Sequence, residues 1–207
     1  EHYMKKPNYP YYDVRKFNSI NEMLDIAANE AGDVIAFKYK EDGKVVEQSY
    51  ADFFRQITHL GAALVQKGYS NAHIGCIGAN SHKWVVSYLT VLRSSGVFVP
   101  IDKELPQNDI FHIINESETR VIFYTKANES LFMNNTDKIP NVELFVGFDR
   151  EEDTDKFLSF DKLVEFGKTC DPDKFLSLTS DPNAMKMLVY TSGTTGIAKG
   201  VMLSEHN

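Results

Sequence analysis

Between residues 74 and 124, short apolar runs alternate with longer amphipathic ones, and this alternation constrains the fold more than any other feature of the chain. Ile74 to Ile77, Val97 to Ile101 and Val121 to Tyr124 read as strands, while Lys83 to Ser94 and Gln107 to Glu116 carry apolar residues at helical spacing. Strands separated by a helix return in the same direction, so the pattern predicts a parallel sheet covered by helices. The fold class is α/β, a doubly wound, mostly parallel sheet flanked by helices. Val142 to Val146 reads as a further strand and Asp161 to Thr169 as a further helix.

Upstream of the alternation, Ser19-Ile20-Asn21-Glu22 has the form of a capping box and opens a helix in which Ile20, Met23, Leu24, Ala27 and Ala31 recur at helical spacing. Val34 to Tyr39 and Val45 to Gln48 flank a Glu41-Asp42-Gly43 turn and read as a hairpin. Ser49-Tyr50-Ala51-Asp52 starts another helix, with Phe53, Phe54, Ile57, Leu60, Gly61, Leu64 and Val65 on its buried stripe and a stop at Gly68. Ahead of all this, Tyr3, Tyr9, Tyr11, Tyr12 and Phe17 lie among prolines, an irregular arm expected to be pinned to the body by its aromatics. The resulting division is 1–18 arm, 19–48 helix and hairpin, 49–180 alternating α/β, and 185–207 strand, loop and strand.

Composition narrows the function classes. A formal net charge of −7 and the lack of a basic stripe with interleaved aromatics argue against nucleic acid as a partner. Cys76 and Cys170 match no zinc or redox spacing and read as two reduced thiols of a cytoplasmic protein. The six histidines form no ligand pair, so no structural metal is expected. The start does not read as a signal peptide, and Trp84 to Leu92 is far too short to span a bilayer. The acidic run Asp149-Arg150-Glu151-Glu152-Asp153-Thr154-Asp155 reads as a solvated surface loop.

Leu188 to Leu203 carries the chemistry. An apolar run, then Thr191-Ser192-Gly193-Thr194-Thr195-Gly196, then Ile197-Ala198-Lys199-Gly200 and a second apolar run read as strand, loop, strand. Phosphate oxygens need several short donors that converge. Gly193 and Gly196 allow close backbone approach, Thr191, Ser192, Thr194 and Thr195 offer hydroxyls, and Lys199 brings a mobile positive charge. Thr191 or Ser192 could also face a magnesium ion that travels with a nucleotide. A Walker loop is excluded because Lys199 is followed by Gly200, and Gly75-Cys76-Ile77-Gly78 does not complete a dinucleotide fingerprint. The bland alternative is a flexible hairpin connection.

The order of residues resembles the phosphate-binding signature of the adenylate-forming (AMP-binding) superfamily: acyl-CoA synthetases, adenylation domains of peptide synthetases, and luciferases. Ser192, Gly193, Thr194, Thr195, Gly196, Lys199 and Gly200 all match it, a coincidence expected about once in 10⁸ starts at ordinary residue frequencies. Ala198 stands where the family usually has proline. In Leu203-Ser204-Glu205-His206-Asn207, Glu205 takes the usual histidine position and His206 falls one later. Gln48-Ser49-Tyr50-Ala51-Asp52-Phe53 and Leu92 to Asp102, with Pro106 after it, are similar to two further family stretches. The resemblance covers about residues 20 to 207 and is strongest to bacterial long-chain fatty acyl-CoA synthetases, whose N-terminal domain the fold should then share.

The resemblance implies a ligase that joins a carboxylic acid to ATP as an acyl-adenylate and passes the acyl group to coenzyme A. Its small-molecule partners would be ATP with Mg2+, the acid and CoA. The phosphate-binding residues it implies are Thr191, Ser192, Gly193, Thr194, Thr195, Gly196 and Lys199. An amino-acid adenylation domain is the enzymatic alternative, and a non-catalytic nucleotide- or partner-binding module the other. The family's adenine-binding Tyr-Gly-x-Thr-Glu motif, ribose-binding aspartate, hinge and small domain with the adenylation lysine do not occur before Asn207. The chain therefore reads as the N-terminal portion of the large domain, with no catalytic residue of its own and unable to complete adenylation alone.

Overall fold

The computed structural model describes residues 12–41, 43–179, 181–191 and 198–207. Helix α1 (Ile20–Glu30) is followed by a hairpin of β1 (Ile35–Glu41) and β2 (Lys44–Ser49), and then by α2 (Tyr50–Gln66). The alternation comes next: β3 (His73–Ile77), α3 (His82–Arg93), β4 (Val97–Ile101), α4 (Gln107–Glu116) and β5 (Val121–Tyr124). The chain continues through α5 (Glu129–Met133), β6 (Leu144–Gly147), β7 (Phe157–Ser159), α6 (Phe160–Gly167) and α7 (Asp173–Leu176). It ends in β8 (Met185–Thr191) and β9 (Lys199–Ser204).

Local chemistry accounts for the helix ends. Ser49 Oγ accepts from the Asp52 amide while the Asp52 carboxylate accepts from the Ser49 amide, closing a full capping box on α2. At α1 the box is only half made, because Ser19 Oγ caps the Glu22 amide but Glu22 reaches one residue further back, to the Asn18 amide. The stop of α2 is a Schellman turn. Tyr69 N–H bonds Leu64 O, Gly68 N–H bonds Val65 O, and Gly68 supplies the required positive φ of 83°.

Among the described residues seven strands form one sheet in the order β7-β6-β5-β3-β4-β8-β9, parallel except for the antiparallel β8–β9 pair at one edge. Side chains alternate between two cores with the period of two that a pleated strand imposes. Ile74, Cys76, Phe98, Val121, Phe123, Leu144 and Val146 join Phe53, Ile57, Val86, Phe160 and Phe175 beneath α1, α2, α3, α6 and α7. Ile77, Val99, Ile101, Ile122, Tyr124 and Phe145 join Ile110, Phe111 and Phe132 beneath α4 and α5 on the other face. The inner strands β3, β4, β5 and β6 are buried on both faces, as a parallel sheet requires.

The structure refines one reading of the sequence and departs from two. The acidic run is an exposed loop apart from Arg150, and two of its carboxylates are also fixed to the main chain: Asp149 accepts from the Lys126 amide at 3.0 Å and Asp153 from the Ser159 amide at 2.7 Å. Arg150 sits against Glu129 at 2.5 Å with each side chain only 12% exposed, so this ion pair anchors the turn after β6. Tyr12 is 93% exposed and Phe17 42%, so neither pins the arm; Arg15 ties it to Glu30 at 2.8 Å instead. Tyr3, Tyr9 and Tyr11 lie outside the described residues. The strand expected from Val142 begins at Leu144, because the Glu143 and Leu144 amides both turn to Arg120 O.

Two helices meet α2 so closely that only glycine fits. A Cβ on Gly167 would lie 1.8 Å from His59 O, and one on Gly61 would lie 2.4 Å from the Phe175 ring. Gly167→Ala is expected to destabilise the fold by about 1–3 kcal/mol through overpacking, read as a lower urea midpoint. Cys76 is fully buried and its thiol is pushed well up by burial, whereas Cys170 is half-buried. Thiol titration should find one group in the native protein and two in urea; prompt native reaction of both would contradict this packing.

Candidate functional site: the mouth of the β8–β9 hairpin

In open α/β sheets ligands bind outside the carboxyl ends of the strands, where connections leave toward opposite faces. β3 provides such a point. Its connection runs through α3 into one core, while its neighbours β4 and β5 lead to α4 and α5 in the other. Gly78 leaves β3 with φ 144°, and a Cβ there would lie 2.4 Å from Thr125 Cγ2, so the turn closes directly on the end of β5.

β8 brings the signature to this edge. It pairs in parallel with β4 at Phe98 and Met187, and β9 folds back along it in register from Met187 with Leu203 to Thr191 with Lys199, after a register shift between Met185 and Met187. Thr191 and Lys199 therefore face each other as the last pair before the loop, both exposed. Lys199 makes no ion pair among the described residues. Ser192, Gly193, Thr194, Thr195 and Gly196, the other residues expected to bind phosphate, lie outside the described residues.

The hairpin's own packing explains two positions beside the loop. Tyr190 stands opposite Gly200, and a Cβ on Gly200 would meet Leu188 Cδ1 at 3.0 Å and Tyr190 Cζ at 3.2 Å. Glycine thus lets the Tyr190 ring lie across β9. Burial, with the Glu116 carboxylate of α4 nearby, pushes the Tyr190 phenol up to about 12, so it is a neutral donor at physiological pH. Ala198 packs against the α4-side core. Nothing in the residue spacing could have linked Tyr190 to Glu116.

The Thr191 hydroxyl and the Lys199 ammonium are both exposed at the mouth, donors of the kind that suit an anion. A magnesium ion here would be carried by nucleotide phosphates and would reach the protein through hydroxyls.

A mostly parallel sheet covered by helices, with an antiparallel hairpin at one edge, defines an α/β domain. The AMP-binding enzyme family profile matches residues 24–207, and the chain belongs to that family, the adenylate-forming ligases. It is 28% identical over 189 residues to tyrocidine synthase 1 of Brevibacillus parabrevis, across 91% of this chain and 15% of that protein. It is 31% identical over 174 residues to long chain acyl-CoA synthetase 4 of Arabidopsis thaliana, across 80% of this chain and 26% of that one. The adenylation domain of a carboxylate reductase from Mycobacterium chelonae superposes with a TM-score of 0.78 at 18% identity, over 98% of this chain and 35% of that structure. At that identity the superposition speaks for the fold.

A separate cleft of about 450 Å³ lies between the β1–β2 hairpin, α2 and α6 and holds two titratable imidazoles. His82 stacks on Tyr39 at 4.2 Å. Burial, aided by Lys83, lowers the His82 pKa, and burial with Lys168 and Arg55 lowers that of His59. The unfolded chain takes up these protons near the ordinary value of 6.5 and the folded chain only below it. Stability should therefore fall as pH drops below that value and level off once the folded groups titrate. His82→Gln should flatten the fall in urea midpoint between pH 7.5 and 5.5; an unchanged slope would remove His82 from the account.

Proposed function

We propose that this chain supplies the ATP-phosphate clasp of an acid–thiol ligase, which activates a carboxylic acid as its acyl-adenylate and passes the acyl group to coenzyme A. The observation that carries this reading is the β8–β9 hairpin, which sets Thr191 opposite Lys199 at the carboxyl edge of the parallel sheet. In this reading the hydroxyls and amides from Thr191 to Gly196 hold the β- and γ-phosphates of MgATP. Lys199 neutralises charge on the departing pyrophosphate. Joining a carboxylate to a polyphosphate brings two anions together, so positioning and charge neutralisation are the protein's main contribution. ATP and Mg2+ serve the first step and CoA the second.

A long-chain fatty acid is the proposed substrate. It is supported by the Pro100 to Pro106 run and by the match to the Arabidopsis long chain acyl-CoA synthetase. The comparably extensive match to tyrocidine synthase 1 favours a second reading, in which the acid is an amino acid and the acceptor thiol belongs to a peptide synthetase.

Charge-assisted bonds contribute about 1.5–3 kcal/mol each, so Lys199→Ala in the protein that carries this chain should weaken MgATP binding about 10- to 100-fold, and Thr195→Ala by less. Unchanged affinity would leave the hairpin without its role. Pyrophosphate exchange with a panel of fatty and amino acids then separates the two substrate readings, and nucleotide binding without exchange on any acid would favour a binding module. Residues 1–207 alone should bind MgATP yet form no acyl-adenylate.

A further inference from the structure

The hairpin that carries the loop is held to the sheet by little main-chain pairing, since β8 meets β4 through a single registered pair, Phe98 with Met187. Among the described residues β9 is paired only with β8, and Val201 and Met202 on it are 44% and 71% exposed. Ladder bonds alone leave the tilt of such an edge hairpin weakly defined.

Leu188, Tyr190 and Ala198 pack it against the α4-side core, and two polar side chains fix its base. Lys186, only 2% exposed, donates from Nζ to Ser94 O, the carbonyl of the residue that ends α3. Glu205 Oε1 accepts the backbone N–H of Ile20, the first residue of α1. That N–H is one of the donors a helix start leaves free, and a carboxylate there also suits the helix dipole. The two helices are themselves joined, because Arg93 in the last turn of α3 is 3% exposed, lies 3.0 Å from Asp25 and donates to Asn21 O at 3.3 Å. Ser94 O satisfies one of the three Lys186 donors, and Glu205 is the carboxylate whose field offsets the burial of that ammonium.

We propose that Glu205 and Lys186 are positioning residues, which clasp the base of the hairpin to α1 and α3 and so set the angle at which Thr191 and Lys199 meet the nucleotide. The inference rests on the phosphate-clasp reading. It gives a role to Glu205, which stands where the family pattern has histidine. A strand of six residues is about 20 Å long, so a tilt of about 5° at the base moves the mouth by about 2 Å. Displacements of that size disrupt near-attack geometry.

The test uses Glu205→Ala, Glu205→Gln, Lys186→Met and the Lys186→Met/Glu205→Gln double variant in the full protein, with Lys199→Ala as control. ATP-dependent pyrophosphate exchange gives KM and kcat, and urea titration gives stability. Glu205→Ala and Lys186→Met are expected to raise KM for ATP about fivefold to tenfold at temperatures where they are folded, while KM for the acid stays within about twofold. Glu205→Gln, which keeps an acceptor for the Ile20 amide, should recover part of the loss. The double variant should lose less stability than the two single changes together. A lowered urea midpoint with unchanged KM for ATP, or strictly additive stability losses, would overturn the proposal. If Glu205→Ala does not fold, Glu205→Gln and Lys186→Met decide by the same criteria. A Lys199→Ala control without effect would overturn the phosphate clasp and this inference together, whereas an effect of Lys199→Ala alone would overturn only this one.

Discussion

A parallel sheet must bury both of its faces, and most of this structure follows from that constraint. Helices can cover it only if connections leave successive strands toward different sides, and β3 sits where they diverge. Fully buried Cys76 and Phe123 on one face and Ile77 and Ile122 on the other show what two-sided burial asks of a strand: a continuous apolar run, since an alternating one would place polar side chains in a core. The last pair of the β8–β9 hairpin, Thr191 with Lys199, lies at the carboxyl edge of the same sheet, the edge at which open α/β sheets bind ligands.

The elements that packing dictates were legible in the sequence. Val97–Ile101, Gln107–Glu116 and Val121–Tyr124 fall where the alternation puts them, because a continuous apolar run or a stripe at helical spacing has one low-energy home in such a sheet. The pieces set by single long-range contacts were not legible. β7 is three residues long, follows the acidic run, and exists because Phe145, Val146 and Gly147 offer it a ladder. Arg150 reads as one more surface charge until Glu129, 21 residues away, is placed beside it. α7 is a single turn whose Phe175 fills the space left by Gly61, a partnership with no periodic signature.

The same division runs through the site. The pairing of Thr191 with Lys199 is implicit in strand, loop, strand, because an antiparallel return puts the two ends of the loop together. The surroundings of the hairpin are not implicit: Tyr190 beside Glu116, Lys186 under Ser94 O and Glu205 on the Ile20 amide join residues from 74 to 185 positions apart. A motif can report which groups a loop offers. The direction in which they point depends on side chains outside the motif.

The edge position of the hairpin sharpens that dependence. Inside a parallel sheet, neighbours on both sides fix a strand's tilt, so little is left for side chains to decide. β8 leaves that environment after one registered pair with β4 and turns into an antiparallel partner whose outer side carries exposed Val201 and Met202. Contacts at its base then weigh more than contacts of the same strength in the middle of the sheet, because they act over the whole length of the strand. A buried lysine is a costly device, since its ammonium must be compensated wherever it goes. Its presence at the base of this hairpin is easiest to understand if orientation, more than stability, is what it provides.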